Sequence, residues 1–499
     1  MKKIGHFILV TALVFSAMTT TKTATADNVD RTKASEVGAY FLSSQFGDKS
    51  ITPENLKLVY EIPNTELNVP ALYVFNTSQR NGFVIVSGSE CVAPVIGYST
   101  DGPFDADNIA PGLQWWLNDQ VQYIAAAQND ALEPEAAIRA EWDKLTEQTL
   151  PYFGQTAKAI IRLTTSTWNQ EPLYNNMCPE LNGQRSVTGC VATAMAQILY
   201  YWKFPYVGKL SNSYSWEGTT LSADFFDTYY DYDAMVDALD YSSTQEQINA
   251  VALLNFHCGV SVNMSYSPES SGAVSSKVPR ALRMYFKYEK DSLQEYDRSS
   301  TAFFNSNYAT SPNAKDSAWV NMLKTEILKR RPLYYAGHSP GNGVHARHAF
   351  LCDGYNDATG TLHFNWGWGG SGDCWLNVYK GQLKPGGAFA TYNFNSEHSV
   401  IIGITPPQDS IHINVGIVEA ENPFTTAIYP NPASSQVTVG YSLQGTHDGE
   451  MQVYDITGRL VEKVTLPIAS TQVTLPVDSY QPGVYICRIN GHAAKFVVR

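Results

Sequence analysis

The stretch from Cys190 to Phe204 holds fifteen residues with neither Gly nor Pro, closed by Pro205, and this most constrains how the chain can fold. Such a run predicts one helix. Val191, Ala194, Met195, Ile198 and Trp202 fall on one face and anchor it in a core. Ser186 or Thr188 can supply a cap, and Gly189 gives the backbone freedom just ahead. Cys190 therefore opens the first turn, where aligned N–H dipoles favour a thiolate. Position alone leaves a second reading open, a small buried hydrophobe, which is the usual fate of cysteine.

Downstream, strands are expected at 332–335, 348–352, 362–366, 374–378 and 399–404. One helix followed by antiparallel strands is an α+β layout. A chain of 499 residues exceeds a single ordinary core. Ahead of the helix, 72–75 and 83–87 read as strands around an Asn81-Gly82 turn, and 113–128 and 136–148 read as helices. Pro406-Pro407 breaks the chain, and 424–499 alternates as short strands with Gly turns, which predicts a small all-β sandwich.

The N-terminus carries Lys2 and Lys3, an apolar run from Phe7 to Met18 and Ala24-Thr25-Ala26 before Asp27. That is the pattern of a secretory signal peptide over 1–26, too short for a membrane span. No later stretch is long and apolar enough for a transmembrane segment. The balance of 34 basic against 47 acidic residues, −13 in all, makes a nucleic acid an unsuitable partner. Seven cysteines in an exported chain cannot all pair, and so sparse a set is no disulfide scaffold. Asp105-Ala106-Asp107-Asn108 and Asp231-Tyr232-Asp233 lack the ligand spacing of a calcium loop and read as solvated acidic loops.

A working thiol needs an imidazole beside it and a group to hold that imidazole. Gly341 to Phe350 runs from a Gly loop into a strand, with His345 in the loop and His348 at the strand entrance. The strand entrance offers a rigid support and an open side, and so favours His348 over His345. Asn365-Trp366-Gly367-Trp368 can orient and shield a ring, or can equally be a tight aromatic turn of the core. The Gln170 amide and the Cys190 N–H are candidate oxyanion donors.

Together these segments resemble the streptopain-type cysteine peptidases, secreted bacterial relatives of papain. The matching pieces are Trp168-Asn169-Gln170 with Tyr174-Asn175, Gly189-Cys190-Val191-Ala192-Thr193-Ala194, and His348-Ala349-Phe350 with Asp353-Gly354-Tyr355. Asn365 to Gly370 and Ser399 to Ile404 complete the set. The resemblance implies a papain-like domain over 151–405, with Cys190 as nucleophile, His348 as base and Gln170 in the oxyanion hole. It further implies that Asn365 and Trp366 orient the histidine and that protein or peptide substrates are cut through an acyl-enzyme, with no metal or cofactor needed. Ser270, Ser271, Gly272 and Ala273 resemble the part of the family that lines the cleft, and Tyr232 stands where the family often shows a cleft tryptophan. Papain's own signature around its cysteine is absent.

Residues 27–150 resemble the family's inhibitory propeptide, through Gly82 to Gly88 and Pro94 to Ser99. This implies a zymogen cut between Lys144 and Ile161. After a linker at 406–423, residues 424–499 are similar to the sorting domain of type IX secretion, through Tyr429-Pro430-Asn431-Pro432, Tyr454 to Arg459, Gly483-Val484-Tyr485 and Lys495 to Val498. That implies the secretion machinery as a partner and a destination outside the cell or on its surface. The rival readings are a surface binding protein without catalysis, and another thiol enzyme such as an amidase or transglutaminase.

Overall fold

The computed structural model describes residues 28–129, 134, 136–149, 160–298, 315–338, 347–378, 398–407, 428–441, 443, 448–455, 459–468, 470–489 and 492–499. The signal segment, His345, nearly all of the expected linker and most of the stretch expected to hold the activation cut lie outside these residues.

The N-terminal unit begins with helix α1 (Arg31–Phe46), followed by strands β1 (Leu56–Asn64), β2 (Val69–Thr77), β3 (Gly82–Ser87) and β4 (Val95–Ser99). Helices α2 (Pro111–Asn129) and α3 (Ala136–Thr146) follow. β2 and β3 pair antiparallel, with Thr77 opposite Gly82, as the Asn81-Gly82 turn predicts. Pro111 begins α2, where a missing N–H costs nothing, and Leu113, Trp115, Trp116, Leu117 and Ile124 are buried along it. Helix α1 was not anticipated, although Asp30 caps it by accepting the Lys33 N–H and Gly47 ends it in the left-handed region.

The central unit contains β5 (Ile160–Arg162), β6 (Glu180–Leu181), β7 (Gln184–Arg185), helix α4 (Cys190–Trp202), and the hairpin β8 (Ser211–Trp216) and β9 (Thr219–Asp224). Next come α5 (Gln245–Ser261), α6 (Val278–Met284), β10 (Gln294–Asp297), α7 (Lys315–Leu328) and β11 (Leu333–His338). It ends with β12 (Arg347–Asn356), β13 (Thr361–Asn365), β14 (Cys374–Leu376) and β15 (His398–Ile402). All five expected strands are present, and α5 and α7 are additions. The α5 start carries a capping box between Thr244 and Gln247.

Alternation along β12 serves two cores. Ala349 and Leu351 pack with α4 and α5, whereas Phe350 and Cys352 pack with α2 and α7 on the other side. The sheet runs β1-β2-β3-β4-β14-β13-β12-β11-β15-β10, with β5 also on β12. Both units therefore share one sheet, joined where Tyr98 pairs with Trp375 and Gly97 with Leu376. The edges of the two sheets seal each other, which removes a free edge from each.

The C-terminal unit consists of β16 (Gln436–Gly440), β17 (Gly449–Asp455), β18 (Leu460–Leu466), β19 (Gln472–Pro476), β20 (Gly483–Ile489) and β21 (His492–Val498). A two-stranded sheet β16-β19 and a four-stranded sheet β18-β17-β20-β21 enclose Val437, Val439, Met451, Val453, Leu475 and Phe496. This is the small sandwich that the alternation predicts. Among the described residues no helix is long and apolar enough to cross a membrane.

Candidate active site

Helix α4 is buried from Val191 to Tyr200, so its N-terminus is held firmly. The N-cap is Gly189 rather than Ser186 or Thr188, at φ 84° and without a side-chain cap. A side chain there would be doubly excluded. The backbone is left-handed, and a Cβ would meet the Met264 thioether and the Ser271 carbonyl at 2.9 Å. The Thr188 hydroxyl instead bonds that of Thr193, one turn into the helix, at 2.8 Å. Cys190 is half-buried at the first helical position.

His348 enters β12 opposite Gly337 and stacks on Phe350 at 6.3 Å. Its imidazole is hydrogen-bonded to the Cys190 thiol. Burial alone would push that thiol up. The charge and hydrogen bond of His348, with the N–H groups of Ala349 and Val191 aimed at the sulfur, outweigh burial and hold it below the ordinary thiol value. Two units of secondary structure thus converge on one sulfur: the helix contributes an N–H and the strand contributes an imidazole and a second N–H. Cys178, Cys258, Cys352, Cys374 and Cys487 are all pushed the other way by burial, Cys178 and Cys487 up to about 12. None of the seven cysteines forms a disulfide.

Gln170 is 7% exposed, and its carbonyl accepts the Thr188 N–H at 3.2 Å, so it stands beside the approach to Cys190. Trp366 is buried, gives its indole N–H to the Gly372 carbonyl at 2.7 Å and crosses Phe350 edge-on at 4.7 Å. Asn365 does not bond His348. Its amide donates to the Ser166 carbonyl at 2.6 Å and pairs reciprocally with the Gln197 amide, at 3.1 and 3.3 Å. Its Oδ1 also accepts the Gly367 N–H at 3.0 Å. The implied role of orienting the histidine is therefore not exercised in this form, and His348 Nε2 is enclosed without a partner. Gln197 is the residue that sequence reasoning passed over. A lone amide inside an otherwise apolar buried helix was its signal.

In the 270–273 loop, Ser270 and Gly272 are exposed, Ala273 is half-buried and Ser271 is an anchor. The Ser271 hydroxyl donates to the Val187 carbonyl at 2.7 Å and accepts the Ser267 N–H at 2.9 Å. This ties the loop to the strand of chain leading into Cys190. Tyr232 is a correction. It has no exposed surface, packs edge-on against Tyr206 at 5.7 Å and keeps its hydroxyl enclosed, so it belongs to the core and lines no cleft. Met235 and Tyr230 turn inward with it, leaving Asp231 half-buried and Asp233 exposed.

Helix α2 of the N-terminal unit lies over the other side of the histidine. Gly112 abuts both His348 and Trp366, and Trp115 lies on Gly337 with its ring 6.0 Å from Phe350 and 5.0 Å from His398. A second imidazole, His363, is fully buried and 2.6 Å from Asp353, with Asp373 nearby, and it joins no nucleophile among the described residues.

Comparison with known proteins agrees with this geometry. Residues 168–376 match the Peptidase C10 family, residues 26–124 the Spi protease inhibitor, and residues 427–499 the secretion system C-terminal sorting domain. Over 395 residues the chain is 32% identical to the thiol protease/hemagglutinin PrtT of Porphyromonas gingivalis, covering 76% of this chain but only 42% of that protein. It is 29% identical to streptopain of Streptococcus pyogenes over 71% of this chain and 85% of that one. A mutant fragment of prointerpain A from Prevotella intermedia superposes with a TM-score of 0.53 at 27% identity, over 70% of this chain and 99% of the fragment. The chain belongs to the C10 family of papain-like cysteine peptidases, with an inhibitory N-terminal unit and a C-terminal secretion sorting domain.

Proposed function

We propose that this chain is the zymogen of a secreted cysteine endopeptidase that hydrolyses peptide bonds through an acyl-enzyme on Cys190. One observation carries the reading: Cys190 is held below the ordinary thiol value by His348 and two N–H groups, while burial pushes Cys178, Cys258, Cys352, Cys374 and Cys487 the other way. A binding protein that merely kept the fold would have no use for a thiol poised in this way.

In this reading Cys190 attacks the substrate carbonyl as thiolate, and the proton resides on His348. The oxyanion takes the Cys190 N–H and the Gln170 amide as donors. His348 protonates the departing amine, then takes a proton from the water that releases the acyl group. Trp366 keeps water from the far side of the imidazole. Asn365 orients the ring once the N-terminal unit has left. Residues 27–150 act as the inhibitor, 151–405 as the catalytic domain, 406–423 as the linker and 424–499 as the export address. Substrates are proteins or peptides.

The test is casein cleavage and self-processing by the chain without residues 1–26, for wild type and Cys190→Ala. Loss of both activities in a folded mutant is expected. Equal cleavage by the two would remove Cys190 as nucleophile.

A further inference from the structure

Next to the approach to Cys190 is a depression of about 570 Å³, lined in part by Glu171, Leu173, Asn175, Arg185, Pro268 and Glu269. Every lining residue belongs to the central unit, so the inhibitory unit does not fill it. Its walls are bonded to the residues just ahead of the sulfur. Asn175, 6% exposed, donates its amide to the Ser186 carbonyl at 3.1 Å. Ser267 accepts the Val187 N–H at 3.1 Å, and Gln170, the neighbour of Glu171, accepts the Thr188 N–H at 3.2 Å. The depression is thereby fixed to the three residues that lead into Gly189 and Cys190.

Its two carboxylates outnumber its one cation. Arg185 is already spent, donating to the carbonyls of Asn176 at 3.0 Å and Cys178 at 2.8 Å and pairing with Glu180 at 2.7 Å. Glu171 and Glu269 remain as exposed carboxylates in the lining. The Ser267 hydroxyl holds Glu269 below the usual carboxylate range, so it stays ionised through neutral and mildly acid pH. Beside the carboxylates in sequence, Pro172, Leu173 and Pro268 add apolar lining. An aliphatic stem with a cationic tip fits such a lining, stem on the prolines and charge at the rim.

We propose that this depression is a substrate subsite that takes a lysine or arginine side chain of the polypeptide being cut. The proposal rests on the peptidase reading and adds to it a preference set by Glu171 and Glu269.

The test compares matched peptides bearing Lys, Gln or Glu at each position in turn, with activated wild type and the Glu171→Gln/Glu269→Gln and Glu171→Lys/Glu269→Lys double variants. At low salt, one position is expected where wild-type kcat/KM favours Lys over Glu by about tenfold, shrinking as salt screens the exposed charges. That ratio should fall to about twofold or less in the Gln variant and invert in the Lys variant. Indifference at every position, or a ratio unchanged in the Gln variant, overturns the subsite. If wild type cuts no peptide, the peptidase reading fails instead. Fluorescence anisotropy with the full-length chain then decides the subsite: stronger capture of the Lys peptide, lost in the Gln variant, supports it, and equal capture overturns it.

Discussion

Gly112 on helix α2 lies against His348: a Cβ at that position would stand 2.9 Å from His348 Cδ2 and 2.5 Å from Trp366 Cε3. The inhibitory unit therefore seats its helix on the His348 imidazole itself, and only a residue without a side chain permits so close an approach. Neither partner can yield cheaply, since Trp366 is tied to Gly372 and packed on Phe350.

Gly112→Val is expected to loosen this seat, since overpacking of this kind costs about 1–3 kcal/mol. The precursor should then process itself on the order of tenfold faster than wild type. A gel time course of the purified precursor checks this, and unchanged or slower processing contradicts the contact.

The poised state of the thiol has a pH signature. With His348→Ala, burial is left opposed only by the two N–H groups, and the thiol rises. The iodoacetamide alkylation rate of Cys190, followed against pH by mass spectrometry in the activated enzyme, should shift its inflection to higher pH. At pH 6 the variant should react at least about tenfold more slowly.

Asp373 gives a second pH dependence, of stability. Burial pushes its carboxyl up to about 6, while His363 and Arg162 pull it back in part. Its Oδ1 accepts the Trp366 N–H at 2.9 Å and its Oδ2 has no partner. A carboxyl raised in the folded state favours folding below the ordinary carboxylate value, and that contribution is lost as pH rises through 6. Asp373→Asn keeps the acceptor and removes the buried charge. It should stabilise the chain by about 1–3 kcal/mol at pH 8 and by much less at pH 4, read as a difference in Tm between the two conditions.

Gln197→Leu tests the support behind Asn365. The substitution strips the Asn365 amide of its reciprocal partner inside a closed core, together with the acceptor of the Ser166 hydroxyl at 2.9 Å. Buried polar groups left unpaired cost about 1–3 kcal/mol each, so urea unfolding should show a loss in that range or above. A loss below about 0.5 kcal/mol would mean that the amide pair contributes little.

What could be read from the residues was local. The uninterrupted run after Gly189 predicts α4, the β-branched and aromatic runs predict the strands of the central sheet, and the final alternation predicts the sandwich. What escaped was pairing between distant segments. Nothing in Tyr98 or Trp375 alone announces that they stand opposite each other, and so the fusion of two sheets into one was not foreseen. Gln197 and Asn365 meet across 168 residues for the same reason. Tyr232 was misplaced because the resemblance set it where the family often shows a cleft tryptophan, whereas its ring turns into the core from a turn. Helix α5 went unnoticed because its burial nearly all round leaves it little amphipathic contrast, although its capping box was there to be read.

The central claim is that Cys190 is a nucleophile held ready but covered. A peptidyl chloromethyl ketone, added to the precursor and to the activated enzyme, tests it most directly when the adduct is located by mass spectrometry. The account predicts one adduct per chain, on Cys190, formed in the activated enzyme and at least tenfold more slowly in the precursor. An adduct on another cysteine, or equal labelling of Cys190 in both forms, would contradict it.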